Sequence, residues 1–328
     1  MIEIRLGIIG TNFVSDWLCE SVRLTEGIRN HAVYSRTAEK GTEFAAKHEI
    51  QKVYTNLEQF FSSDIDAVYI ASPNFLHFEQ AISAMRHGKH VLLEKPAAHN
   101  EYEFDLLLKT ATENNVILLE AMRPAHDPAI EIIREAMGKI GKIRRAVFDF
   151  CQYSSRYDKF KAGEILNAFN PEMGNAALMD IGVYAMNCAV NLFGEPESLY
   201  SKSVILHNGM EGMGSVFLDY GECQVEIVYS KITDSSTPSV ITGEDGYVAI
   251  RKVSTLESAE LNLRNGESME LITERPENNM IYEVSDFVKC VNGDITPEKH
   301  NNITKITLRL MDEVRRQNGI VFPKEIKN

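Results

Sequence analysis

The chain is predicted to fold as an α/β N-terminal domain with a parallel sheet, followed by an α+β C-terminal domain with a large open, mainly antiparallel sheet. Three observations predict this. From Ile2 to about Met122, short apolar runs alternate with helical stretches, the pattern of strands joined by crossover helices. Beyond Met122 the runs follow one another with turn residues such as Asn265-Gly266 between them, as in antiparallel hairpins. The length of 328 residues, 44% of them hydrophobic, suits two domains of about 150 residues each. The domains are accordingly drawn at 1–122 and 123–328.

The first strand, 4–9, runs into Gly10 and then into the helical pattern Trp17, Leu18, Val22. Strand, tight turn and helix form the dinucleotide-binding (Rossmann) entry, where a small residue and free backbone N–H groups let a pyrophosphate approach. Gly10, Thr11, Asn12, Phe13 and Val14 are the residues of that turn, with Asn12 and Ser15 standing where the fingerprint has its later glycines. The second strand, 31–35, ends at Ser35-Arg36-Thr37 with Lys40 one turn on, and no Asp or Glu is there to take a ribose 2′-hydroxyl. A hydroxyl and cations at that place favour NADP, with NAD as the alternative. Further strands are expected at 67–71, 90–94 and 116–120. Ser72-Pro73-Asn74 and a helix through His77 follow the third, and Glu94-Lys95-Pro96 the fourth. Ligands of such sheets bind beyond the carboxyl ends of the strands, so Gly10, Ser35, Ser72, Asn74, Glu94 and Lys95 fall on one rim.

In the second half, strands are expected at 143–153, 199–206, 214–220, 223–231, 247–252 and 259–263, and helices at 281–291 and 303–316 that stop at Gly293 and Gly319. One helix between Gly174 and Gly194 carries an apolar stripe and, on another arc, Asp180, Tyr184, Asn187 and Asn191. Gly182 thins this helix, as if for a flat nicotinamide. Hydride transfer between an alcohol and nicotinamide needs a proton taken from the hydroxyl or given to the carbonyl. Tyr184 can serve if an ammonium lowers its pKa from near 10, and Lys95 is the candidate. The segment 153–170, with Arg156, Tyr157 and Lys159, is expected to roof the pocket. The open sheet leaves one face to be covered by a second copy of the chain or left polar and solvated.

Thirty-four basic against forty-seven acidic residues give a formal charge of −13 without a Lys/Arg run, which excludes nucleic acid as a partner. Five widely spaced cysteines form no metal-site pattern, and no metal is expected. No signal-like segment or uninterrupted membrane-length apolar run is apparent, so a cytoplasmic protein without membrane partners is expected.

Gly10-Thr11-Asn12, Ser72-Pro73-Asn74 with His77, Glu94-Lys95-Pro96 and Asp180-Ile181-Gly182-Val183-Tyr184 together resemble the glucose-fructose oxidoreductase, inositol dehydrogenase and MocA family over nearly the whole chain. The tyrosine at 184, where many members carry histidine, resembles the branch that includes dimeric dihydrodiol dehydrogenase, and points from inositols toward pyranose sugars or diols. The resemblance implies a catalytic Lys95, Tyr184 as acid/base, Asp180 as an orienting or substrate-binding carboxylate, His77 and Arg123 at the cofactor, a cis Lys95–Pro96 bond and a homodimer or higher homo-oligomer. An NADP-dependent oxidoreductase acting on a sugar, polyol or diol is the leading expectation. A non-catalytic NADP- or sugar-sensing regulator and a glycosidase that uses bound nicotinamide transiently are the rivals.

Overall fold

The computed structural model describes residues 3–326. Six strands, β1 (Ile4–Ile9), β2 (Ile28–Tyr34), β3 (Lys52–Tyr54), β4 (Ala67–Ile70), β5 (His90–Glu94) and β6 (Leu118–Ala121), form one sheet in the order β3-β2-β1-β4-β5-β6. Every pairing in it is parallel. Helices on both faces bury such strands on two sides, which is why β4 and most of β5 are uninterrupted apolar runs. The helices are α1 (Phe13–Arg23), α2 (Ala38–Lys47), α3 (Leu57–Phe61), α4 (His77–Arg86) and α5 (Glu101–Glu113). The strand order reverses between β1 and β4, so the loops after them splay apart and open a crevice at their carboxyl ends. β3 was not foreseen: three half-buried residues at the sheet edge give too short a pattern.

After α6 (Arg123–His126) and α7 (Ala129–Met137) the second sheet begins with β7 (Ile143–Cys151). Short α8 (Tyr157–Lys161) and the core helix α9 (Val183–Phe193) precede β8 (Ser198–Ile205), β9 (Glu211–Asp219), β10 (Gln224–Ser230), β11 (Ser239–Gly243), β12 (Gly246–Arg251), β13 (Ser258–Leu263) and β14 (Ser268–Glu270). The order is β14-β13-β12-β11-β7-β10-β9-β8, antiparallel except where β10 runs alongside β7. One face packs on α7, α9 and α11 (Glu298–Asn318) around Phe148, Ile227, Ile241 and Val248. The chain then returns to the first sheet. Met280, Val284, Phe287 and Val288 of α10 (Met280–Asn292) share a core with Leu18, Tyr69 and Leu92.

Two local expectations fail here. The helix between Gly174 and Gly194 is not regular: Leu178–Gly182 form a π-helical turn ahead of α9, so a count of 100° per residue misplaces the side chains on it. The run Pro171–Phe193 also has the length and apolarity of a membrane span, contrary to the sequence reading. Its most apolar stretch, of mean hydropathy 1.4, is 83% buried within the fold, as a core helix should be.

Candidate active site

Lys95 is the first residue after β5, and its bond to Pro96 is cis. Its ammonium donates to the Asp180 carbonyl at 2.8 Å, pairs with Asp180 Oδ1 at 3.2 Å and lies 4.8 Å from the centre of the Tyr184 ring. A parallel-sheet strand end and the irregular turn before α9 thus meet across the crevice. The ring of Phe150, at the end of β7, packs edge-on to Tyr184 at 5.8 Å.

Asp180 is gripped from a second side. Lys231, the residue after β10, places its ammonium 2.5 Å from Asp180 Oδ2, and its side chain is only 6% exposed. Sequence reasoning used Lys231 only to end a strand. The available signal was a cation closing an alternating strand that otherwise ends in buried residues.

The electrostatics follow from this packing. Burial alone would depress the Lys95 ammonium, but Tyr184, Asp180 and Glu94 outweigh it and raise its pKa. Desolvation would raise the Asp180 carboxyl, but Lys95 and Lys231 hold it well below the ordinary carboxylate range. Desolvation raises the Tyr184 phenol, and the opposing pull of Lys95 and of Arg123 does not cancel it. The expectation that Lys95 brings this phenol down is right in the sign of the lysine's own effect. The net shift is upward, so Tyr184 is a phenol rather than a phenolate at neutral pH.

The rest of the stripe on α9 does not join them. Asn191 accepts a bond at 3.1 Å from Arg134, on α7, and Asn187 is buried with neither amide atom partnered. Gly182 does not open the helix toward a nicotinamide. A Cβ there would lie 3.0 Å from Tyr229 Cγ, so the glycine lets the turn sit on β10.

On the nucleotide side, Gly10 has φ +109°, and a Cβ would meet the Ala71 carbonyl at 2.7 Å, so only glycine keeps the β1–α1 turn against the end of β4. Thr11 and Val14 are half-buried and Phe13 exposed at the head of α1. Asn12 caps α1, accepting from the N–H of Val14 and of Ser15, and ties the turn to the Ala71 carbonyl through its amide at 3.1 Å. Its side chain therefore occupies donors that a pyrophosphate would otherwise take. Ser35 is buried, whereas Arg36, just after β2, and Lys40, in the first turn of α2, stand exposed with no ion-pair partner among the described residues. This edge fits a dinucleotide with an extra phosphate: the glycine cradle, the helix end and the free cations are all present.

Four of the expected cofactor residues face elsewhere. Ser72 Oγ donates to Gln80 Oε1 at 2.7 Å. Asn74 donates to Asn175 Oδ1 at 3.1 Å and so ties its loop to the segment ahead of α9. Glu94 accepts from Tyr69 Oη at 2.6 Å and from the Lys95 N–H at 3.2 Å. His77 is buried, its ring nitrogens 3.0 Å from the Pro96 carbonyl and 2.8 Å from that of Ser72. It braces the two loops from inside instead of reaching a ligand, and burial pushes its pKa down to about 4. Arg123 lies 5.4 Å from the Trp17 ring and donates from Nε to Asn279 Oδ1 at 2.8 Å.

A cavity of about 1150 Å³ is lined by neither Lys95 nor Tyr184. Trp17, Arg123, Phe150 and Gln152 are in its wall, and the Phe150 ring also packs on that of Tyr184. Away from the crevice, His126, Asp286 and His300 gather between α6, α10 and α11. The two imidazoles stack at 4.2 Å with 23° between planes, and one ligand atom from each of the three residues lies within 4.8 Å of the others.

Comparison with known proteins agrees with this architecture. Residues 4–122 match a family described as an oxidoreductase family with an NAD-binding Rossmann fold, and residues 131–249 match the GFO/IDH/MocA C-terminal domain. The chain is 42% identical over 325 residues to the scyllo-inositol 2-dehydrogenase (NADP(+)) of Bacillus subtilis, covering 98% of this chain and 99% of that protein. It is 27% identical to the trans-1,2-dihydrobenzene-1,2-diol dehydrogenase of Xenopus tropicalis, covering 89% and 90%. Among solved structures, a 3-ketoreductase from Actinomadura kijaniata in complex with NADP superposes with a TM-score of 0.84 at 20% identity, covering 96% and 98%.

Proposed function

The chain belongs to the GFO/IDH/MocA oxidoreductase family, and from that premise we propose an NADP-dependent dehydrogenase or reductase that interconverts a secondary alcohol and its carbonyl on a polyol, sugar or diol. The observation that carries the reading is the meeting of Lys95, Asp180 and Tyr184 at the carboxyl edge of the parallel sheet. NADP, when bound, supplies or accepts the hydride. Gly10, Thr11, Asn12, Phe13 and Val14 would hold its pyrophosphate, Ser35 and Arg36 its 2′-phosphate ribose, and Lys95 and Arg123 would border its nicotinamide half, with Ser72, Asn74 and Glu94 bracing the loops behind them.

Tyr184 acts as the acid/base. As a protonated phenol it can give its proton to a substrate carbonyl oxygen as that oxygen gains charge, and the Lys95 ammonium stabilises the phenolate left behind. In the oxidative direction the phenolate form of Tyr184, stabilised by the Lys95 ammonium, accepts the hydroxyl proton. Asp180, fully charged, fixes the Lys95 ammonium in place.

The tyrosine at 184 pointed away from inositols, but the relative at 42% identity acts on scyllo-inositol, so inositols are the first substrates to test. A spectrophotometric screen of inositols, pyranoses and diols with NADP and NAD tests the proposal. Turnover of none of them with either coenzyme overturns it. The outer face of the second sheet, where Tyr200 lies opposite Phe217 and Val204 and Tyr247 are exposed, supports a homodimer in which two such faces cover each other. Five unpaired cysteines accord with a cytoplasmic location.

A further inference from the structure

We propose that Lys231 is a positioning residue: its ammonium occupies the second oxygen of Asp180, so that this carboxylate serves as a strut for Lys95 and is withheld from the proton that Tyr184 handles. The proposal rests on the reading of Tyr184 as acid/base and goes beyond it. Three observations carry it.

Asp180 Oδ1 faces Lys95 at 3.2 Å and Oδ2 faces Lys231 at 2.5 Å, so neither oxygen is left as a strong acceptor for a phenol or a substrate hydroxyl. With one oxygen vacated, the carboxylate would be a rival proton acceptor one turn from Tyr184. Lys231 is nearly sealed: its side chain is 6% exposed, and its ammonium lies 5.6 Å from the ring of Phe169. Its carbonyl also accepts from the N–H of Ser154 at 2.9 Å. No substrate reaches an ammonium so enclosed, and it acts through Asp180. The charges then add: two ammonium groups and one carboxylate leave the cluster one unit positive beside the phenol, and loss of Lys231 leaves it neutral.

The groups facing Tyr184 are Lys95 and Glu94 from the end of β5, Arg123 after β6 and Asp180 from the turn before α9. Lys231 enters from β10 through Asp180. Lys231 is the cation that can be removed without replacing a group that faces Tyr184 directly or one at the nucleotide edge.

The test replaces Tyr184 with difluorotyrosine, whose fluorines lower the phenol pKa and report its ionisation by ¹⁹F NMR. Titrations are run in the otherwise unchanged chain and with Lys231→Met or Lys231→Arg. Lys231→Met is expected to move the midpoint up by about one pH unit, the order of effect that losing a unit charge close to but not in contact with the phenol has at an effective dielectric near 20. Lys231→Arg, which keeps the charge, is expected to stay within about 0.3 unit of the parent. An unchanged midpoint in Lys231→Met, an equal shift in Lys231→Arg, or a phenol that never ionises overturns the proposal. Should the methionine variant not fold, Lys231→Gln must shift the midpoint in the same direction. The titration needs no turnover, so its failure leaves the proposed activity standing. Full activity in Tyr184→Phe would sink that activity without touching the titration.

Discussion

Removing the ammonium of Lys95 is the sharpest test of the proposed chemistry. In Lys95→Met the side chain keeps its length and loses the charge that lies 4.8 Å from the Tyr184 ring. With an effective dielectric of about 20, a unit charge at that distance is worth about 3.5 kcal/mol, or about 2.5 pH units on the phenol. The ring centre stands in for the oxygen and Arg123 also acts on the phenol, so an upward shift of about 2 units is the working figure. The Lys95 bonds to Asp180 are lost as well. The acid/base step should then lose about 10²- to 10⁴-fold in kcat. KM for NADP should change far less, because the phosphate-binding edge at Gly10 and Arg36 is untouched. Steady-state kinetics with the substrate found by screening, together with NADP titration by fluorescence, separates the two effects. A kcat within threefold of the parent refutes the reasoning, and so does loss of NADP binding as the sole defect.

Arg36→Ala should raise KM for NADP by about 10- to 100-fold, the loss of one charge-assisted contact with a phosphate, and leave KM for NAD nearly unchanged; coenzyme kinetics decide this. Gly10→Ala forces a Cβ onto the Ala71 carbonyl at 2.7 Å with φ at +109°, so the stabilisation that NADP gives in a thermal-shift assay should largely vanish while the protein still melts cooperatively. His77 has a folded pKa of about 4 against about 6.5 unfolded, so its contribution to stability is complete above pH 6.5 and is lost as pH falls toward 4. Chemical denaturation should show the parent losing about 2.5 kcal/mol more than His77→Gln between pH 7.5 and pH 4.5. Phe217→Lys on the outer sheet face should shift the chain from dimer to monomer in light scattering with kcat retained.

The α/β half was legible because its strands are buried on both sides and write themselves as apolar runs: β1 and β5 fall where the alternation of runs and helices put them. The second sheet was legible strand by strand where one face is core and the other open, as in β9 and β12. What escaped is short or lacks that contrast. β11 follows a run of serine, threonine and proline, and β14 is three exposed residues at an edge. No periodicity in so few residues distinguishes a strand from a turn.

The site divides along the same physical line. Lys95 was singled out because a cation closing a buried parallel strand asks for a structural reason, and the chain there obeys a simple period. Asp180 and Tyr184 were singled out as a motif, yet the geometry assigned to their helix failed: a π-turn at Leu178–Gly182 puts Asp180 out of phase with α9, and along α9 itself Asn187 is buried and Asn191 meets Arg134. At the rim, His77 was read as facing a ligand from the family resemblance, and Gly182 because a glycine thins its helix there. They prove to serve packing behind it, a contact with β10 in one case and with two loop carbonyls in the other. Lys231 shows why such errors run in both directions. Its partner is fifty-one residues away, and nothing local marks a buried lysine as different from one that snorkels to water. A charge can be placed by sequence only when its own strand or helix demands an explanation; when the demand comes from the partner, only the assembled fold reveals it.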